Sequence, residues 1–255
     1  PKEMIYAIDS DEQTVKLGWQ DPSGLFGLTQ AQTSSRKSFG NEGENMIVAH
    51  KYNKEELALY QGLSIQSISV AIGKKREESA TAQFKTAVFI NGQRVDSTPV
   101  ESYEPGTLNT FVLDTPIPIT SDITDLKVGL EIVEHHVNEW PIGADEAGRV
   151  LKGIGDLFSE DGGVTWRNLS DIVTNPEDLS QSNWVIFANI SKNLNVNYRT
   201  NHIVGYNVYK DEVKITTDLQ YHSQFTAPFE EGIYTLRAFS LATEELSSPS
   251  NGVRV

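Results

Sequence analysis

The strongest constraint on this chain is a two-residue periodicity, carried in many short runs and broken by turn residues. Val15, Leu17 and Trp19 alternate with Lys16 and Gly18, and Ile68, Val70 and Ile72 alternate with Ser69 and Ala71. Residues 109–114, 126–132 and 183–188 are β-branched or aromatic runs bounded by Gly, Pro, Asn or Asp, and 205–210, 213–217 and 232–239 have the same character. Successive side chains of a strand point to opposite faces, so each run can bury one face of a sheet. Asn91-Gly92 follows Phe89-Ile90 as a two-residue hairpin signal, because both residues tolerate positive φ. So many short strands with frequent turns predict an all-β protein made of β-sandwiches. Two short helices are also predicted. Over 53–62, Asn53 caps, Glu56 holds the capping-box position and Gly62 supplies the left-handed stop. Over 175–179, Asn175 caps and Pro176 fits the first helical position.

Charge removes whole classes of function. The 255 residues carry 21 Lys and Arg against 35 Asp and Glu, a formal net charge of -14. Phosphate contacts require clustered cations, which argues against a nucleic-acid partner and against adsorption to anionic lipid. Cysteine is absent, which excludes a disulfide framework, a thiolate zinc site and a cysteine nucleophile. The longest apolar stretch, 184–190, is interrupted by Asn189 and falls far short of the ~20 residues of a spanning helix, so no membrane insertion is expected. The chain opens at Pro1 with neither a basic n-region nor an apolar h-region, which predicts a trimmed mature form whose export signal is not in this sequence.

Few motifs carry chemistry. His135-His136 with Glu139 offers ligand-type side chains, but His-Glu-x-x-His and its inverted form are both absent. Neighbouring strand residues face opposite ways, so the two histidines are read as a polar loop and no metal site is assigned. Within that loop His136, Glu139, Trp140 and Asp145 combine an aromatic platform with hydrogen-bonding groups, which suits stacking on a sugar ring or a partner side chain. These four residues are the candidate ligand-binding site. Asp9, Asp11 and Glu12 are spaced like the start of a calcium loop, yet the glycine and the terminal Glu are missing. A structural calcium therefore has no supporting motif, and no cofactor is expected. Glu42, Glu44, Glu55 and Glu56 read as solvated charges, and Lys74-Lys75-Arg76 followed by Glu77-Glu78 reads as a loop. Gly153-Ile154-Gly155 lacks the third glycine of a dinucleotide site, and no Gly-x-Ser-x-Gly elbow or P-loop is present. No catalytic residues are assigned.

Residues 159–166, Ser-Glu-Asp-Gly-Gly-Val-Thr-Trp, resemble the Asp-box turn of sialidases and other β-propellers. The single copy predicts a structural turn rather than a propeller. Asp96-Ser97-Thr98 resembles the short O-glycosylation signal of exported Bacteroidetes proteins; its plain reading is a hairpin strand.

The domain map rests on the chain ends. Residues 205–211, 232–238 and 247–255 resemble strands C, F and G of a fibronectin type III sandwich, with Tyr234 at its corner-tyrosine position. Residues 200–255 number only 56, whereas such a sandwich needs about 100. Residues 4–8 and 14–24 resemble its strands A and B, with Val15, Leu17 and Trp19 inward. The expected architecture is a discontinuous fibronectin type III/Ig-like sandwich over 1–24 and 200–255, with a second domain, 25–199, inserted at a surface loop. The rival map is two consecutive domains, the second a truncated sandwich.

The 25–199 segment resembles a jelly-roll module of secreted Bacteroidetes-type proteins, related in pattern to the cleaved adhesin domains of gingipain-like proteins. The matching stretches are 48–62, 65–70, 108–119, 126–130, 140–145, 152–157, 161–166 and 183–184. The family often opens with a Tyr-Asp-Asp-Gly-like turn, and residues 25–30 depart from it, so a metal site on that opening is not carried over. The resemblance implies a galactose-binding-like jelly-roll sandwich inserted in a fibronectin type III-like one, secreted or on the cell surface. It implies a non-catalytic binding or adhesion protein whose partner is a host or matrix protein. A carbohydrate-binding module that takes a glycan is the alternative, and a hydrolase is disfavoured.

Overall fold

The computed structural model describes residues 4–11, 13–20, 26–31, 35–40, 43–74, 82–137, 139–145, 150–173, 181–192, 204–217, 220, 224–240, 245–247 and 249–255. The described residues are mostly antiparallel β-strands, 56%, with two short α-helices, an all-β fold. The larger body opens with β3 (Phe26–Thr29), β4 (Ser35–Phe39) and β5 (Met46–Asn53), after β1 (Met4–Asp9) and β2 (Thr14–Trp19) of the smaller one. It continues through β6 (Ser64–Ala71), β7 (Gln83–Ile90), β8 (Gln93–Asp96), β9 (Leu108–Pro118), β10 (Asp125–Glu134) and β11 (Ile142–Asp145). It ends with β12 (Leu157–Ser159), β13 (Arg167–Asn168) and β14 (Ile186–Ser191). The chain then returns as β15 (Val204–Lys210), β16 (Val213–Lys214), β17 (Gln224–Pro228), β18 (Ile233–Ser240), β19 (Glu245–Leu246) and β20 (Val253–Arg254).

In the larger body a six-stranded sheet, β13-β12-β5-β10-β7-β8, packs against a four-stranded sheet, β3-β14-β6-β9, and β11 pairs with β4 beside them. Alternate residues of both sheets meet in one core: Val48, Val88, Val128 and Leu130 from the first, Leu28, Ile68, Val70 and Ile186 from the second. Buried His50 ties the layers together. Its Nδ1 accepts the Gln30 amide at 3.1 Å, and its Nε2–H donates to the Trp184 carbonyl at 2.8 Å.

Local signals produce local structure. Asn53 accepts the Glu56 amide at 2.9 Å and Glu56 returns the bond to the Asn53 amide at 2.8 Å, a complete capping box on α1 (Lys54–Leu57). The helix is shorter than 53–62, because residues 58–60 tighten into a 3-10 turn before Gly62 at φ +81°. Asn91 and Gly92 both take positive φ and join β7 to β8. The second α-helix, α2 (Leu169–Ile172), had no sequence signal, while the helix expected over 175–179 lies outside the described residues. The expected strand at 213–217 is regular only over Val213–Lys214; the Ile215 amide still donates to the Val208 carbonyl at 2.9 Å, and the buried Thr216 hydroxyl then accepts the Val208 amide at 3.2 Å in place of a backbone carbonyl.

The smaller body draws strands from both chain ends. One sheet is β1-β2-β17; the facing sheet is β16-β15-β18-β19, with β20 also on β18. Val15, Leu17 and Trp19 share a core with Tyr206, Val208, Tyr234 and Leu236. The Tyr234 hydroxyl donates to the Glu230 carbonyl at 2.9 Å, closing a corner four residues upstream. The two bodies touch where Ile5 and Gly18 meet Leu59 of the 3-10 turn; a Cβ on Gly18 would sit 2.6 Å from the Leu59 side chain. The division points expected at 24/25 and 199/200 lie outside the described residues.

Candidate functional site

Four parts of the larger body converge at one rim: residues 38–40 and 43 at and after the end of β4, 72–74 after β6, 101–107 before β9, and 135–137 with 139–141 between β10 and β11. Backbone hydrogen bonds stitch them. Gly73 donates to Pro141 at 3.0 Å, Gly106 donates to Gly73 at 3.0 Å, and Ile72 donates to Thr107 at 2.9 Å. Two glycines are needed for this approach. A Cβ at Gly73 would lie 1.8 Å from the Trp140 carbonyl oxygen, and one at Gly40 would lie 2.1 Å from that of Glu139. The 139–141 backbone therefore rests directly on two neighbouring strands' exits.

The candidate residues separate by role. Glu139 is buried, 5% exposed; its amide donates to the His136 carbonyl at 2.9 Å and its carboxylate accepts the His136 amide at 3.3 Å. This closes a tight turn whose tip is exposed Val137. His135 and His136 do face opposite ways. His135 is buried with Nε2 accepting the Gly43 amide at 3.2 Å, whereas His136 is exposed. Burial pushes the His135 imidazole below its ordinary value, against the smaller opposing pull of Glu139. Trp140 is 40% exposed, with its indole edge over Gly40. Asp145 is fully buried at the far end of β11. Its carboxylate accepts the Asn183 amide at 2.8 Å and the Asn183 side-chain amide at 3.2 Å. The structure thus brings His136, Glu139 and Trp140 together and sets Asp145 apart as a peg between β11 and the approach to β14.

Sequence reasoning missed Tyr103. Its ring packs edge to face on Phe84 at 4.9 Å, and its phenol is pushed up by burial and then by the charge of Glu139. Tyr103, Phe84, Lys85, Glu101, Pro99 and Val133 line a groove of ≈ 510 Å³. The available signal was an aromatic in a turn-rich stretch, Ser102-Tyr103-Glu104-Pro105-Gly106. A second groove, ≈ 590 Å³, lies between β8 and the bulged part of β9 and is lined by Asp96, Ser97, Thr98, Asp114 and Asp122 among others. There Ser97 is exposed, while Thr98 donates to Asp96 at 2.8 Å and accepts the Asp114 amide at 3.3 Å.

The Asp-box segment forms the turn between β12 and β13. Asp161 accepts the Ser159 hydroxyl and the Thr165 amide, both at 2.8 Å, and the Thr165 hydroxyl at 2.6 Å. The turn lies over the outer face of the six-stranded sheet: Gly163 abuts the Phe89 ring, and Trp166 packs edge to face on Phe89 at 5.3 Å. Its role is to cover Ile47, Ala87 and Phe89.

Asp9 accepts the Asp11 amide at 3.1 Å in the β1–β2 turn, an Asx-type turn, and Glu12 lies outside the described residues, as do Glu42, Leu25 and most of the 74–78 charge run. Among the described residues no group of three or more His, Asp or Glu is placed to hold a metal ion. No described helix is long and apolar enough to cross a membrane. No protein-family model, curated protein or solved structure matches this chain.

Proposed function

We propose that this chain is a non-catalytic binding or adhesion protein that acts outside the cell, with a jelly-roll-type body carried on a fibronectin type III-like sandwich. The observation that carries this reading is Trp140: a large indole, 40% exposed, on a loop whose backbone is locked against Gly40 and Gly73. A solvent-facing aromatic gains free energy when a partner takes its apolar surface out of water, and a rigid loop presents it without an ordering penalty. Exposed His136 supplies a polar group in the same turn, and the Tyr103 groove adds polar and apolar surface on the same body. The acidic chain, net charge -14, favours a neutral or basic partner over a nucleic acid.

A host or matrix protein is the first class of partner and a glycan the second. The exposed indole favours the second specifically, because a sugar ring stacks on a flat aromatic face. Arrays of immobilised glycans and matrix proteins, probed with the wild-type chain and with Trp140→Ala, test both. Saturable glycan binding lost in Trp140→Ala supports the carbohydrate reading, and binding confined to proteins and lost in the same variant supports adhesion. Retention of all binding in Trp140→Ala removes the rim from the argument. Turnover of a glycoside panel, abolished by one carboxylate substitution, would replace both readings with a hydrolase.

A further inference from the structure

Strand β1 is the outermost strand of the sheet β1-β2-β17. It pairs with β2 over all six residues without a register shift. From Met4 to Ile8 it has no charge, no proline and no glycine. Other described edges are blunted by the devices that keep sheets from pairing edge to edge. β17 ends in Pro228, β8 leads into Pro99, β9 is bulged and carries Pro116 and Pro118, β4 carries Arg36 and Lys37, β3 and β11 have four residues each, and β13, β16, β19 and β20 have two each. β1 has only the charge of Asp9 at its last position.

Its side chains make the same point. Met4, Tyr6 and Ile8 stand opposite Trp19, Leu17 and Val15, so they share the face that builds the small core. Leu17 and Val15 are fully buried, yet Tyr6 is 43% and Ile8 50% exposed. Of the facing sheet, short β20 lies against β1 and the Ser250 hydroxyl donates to the Met4 sulfur at 3.3 Å, which leaves Tyr6 and Ile8 half covered.

We propose that β1 pairs with β1 of a second copy of this chain, antiparallel about a two-fold axis, and so joins two small sandwiches through one continuous sheet. A two-fold pairing needs a self-complementary segment, and an uncharged strip of alternating apolar side chains meets itself without conflict. Charge selects this edge. Two chains of net charge -14 repel over most of their surfaces, and Met4–Ile8 is a stretch free of carboxylates on which they can approach. The antiparallel sense follows from a two-fold axis normal to the strands, which places the same residues of both copies at equal distances from it. The pairing satisfies the outward backbone groups of β1 and extends the apolar layer over Tyr6 and Ile8.

Sedimentation equilibrium of the intact chain, from about 1 μM to about 500 μM, tests this by the mass action expected of a small interface. The expected result is a concentration-dependent monomer–dimer equilibrium, with amide exchange of Ile5 to Ile8 slower at high concentration. Tyr6→Lys and Ile8→Lys each weaken the dimer about tenfold or more, since each places like charges near the axis. Val213→Lys, an apolar-to-charged change on another edge, leaves it unchanged. Near-UV circular dichroism checks that each variant is folded, and the wild-type exchange experiment needs no variant. A chain that stays monomeric throughout overturns the proposal. So does a dimer whose β1 amides exchange equally at both concentrations, or one that Ile8→Lys leaves intact.

Discussion

The indole of Trp19 and the phenol ring of Tyr206 meet edge to face, with centroids 5.4 Å apart and planes at 64°. Trp19 lies on β2 and Tyr206 on β15, so this contact closes the small core between strands from opposite ends of the chain. Trp19 is fully buried, and its replacement by Ala leaves a large void. Trp19→Ala is expected to cost about 3–5 kcal/mol in the smaller body. The larger core does not use Trp19, so urea unfolding should split into two transitions, with only the earlier one moved. A single transition at the wild-type midpoint would show that Trp19 does not hold the ends together.

At the rim, Gly73→Ala is expected to displace the 139–141 backbone, because the new Cβ has no room beside the Trp140 carbonyl oxygen. Such overpacking costs about 1–3 kcal/mol. The readout is a lower midpoint of unfolding together with a shifted Trp140 emission, isolated by difference from Gly73→Ala/Trp140→Phe. An unchanged emission would mean that the loop is positioned by something other than its contact with Gly73.

The Asp161 carboxyl is held down at about 2 by the Thr165 hydroxyl and amide, then by the Ser159 hydroxyl. A carboxyl depressed in the folded state adds stability above its unfolded pKa, and that contribution is lost as pH falls through the folded value. The turn should therefore stay closed down to about pH 4 and open toward about 2. Trp166, whose indole N–H donates to the Gly163 carbonyl at 3.1 Å, reports it. Emission of the wild type, minus that of Trp166→Phe, should shift red in that window, and Asp161→Asn should abolish the step. A transition at ordinary carboxylate pH would refute the network's hold on Asp161.

Tyr60 is fully buried, and its hydroxyl has no hydrogen-bond partner among the described residues. Its ring packs on Phe26 at 5.7 Å, a contact that phenylalanine would keep. Leaving a buried hydroxyl unpaired costs about 1–3 kcal/mol, so Tyr60→Phe should unfold at the same or a higher denaturant midpoint. A clear loss of stability would reveal a partner for that hydroxyl.

Strand periodicity, the Asn53–Glu56 capping box and the Asn91-Gly92 turn were legible in the sequence because their chemistry is complete within a few residues. The inward alternation of Val15, Leu17 and Trp19 was legible for the same reason. The Asp box could be read as a turn, since Ser159, Asp161 and Thr165 satisfy one another locally. Its place over Phe89 could not, because β12 must first pair with β5 before the turn can reach that face.

The rim shows the boundary most plainly. An aromatic residue beside polar ones in residues 135–145 was visible in the sequence alone. Only the tertiary structure decided that Trp140 faces solvent, that Glu139 is spent on its own turn, that Asp145 is a buried peg and that Tyr103 packs on Phe84 in a groove. Those outcomes depend on Gly43 meeting His135 and Gly73 meeting Pro141, contacts between residues far apart along the chain. Local side-chain chemistry sets what each segment can become. Which of its groups stay exposed is settled only when distant backbones, through steric fit and hydrogen bonding, close around it.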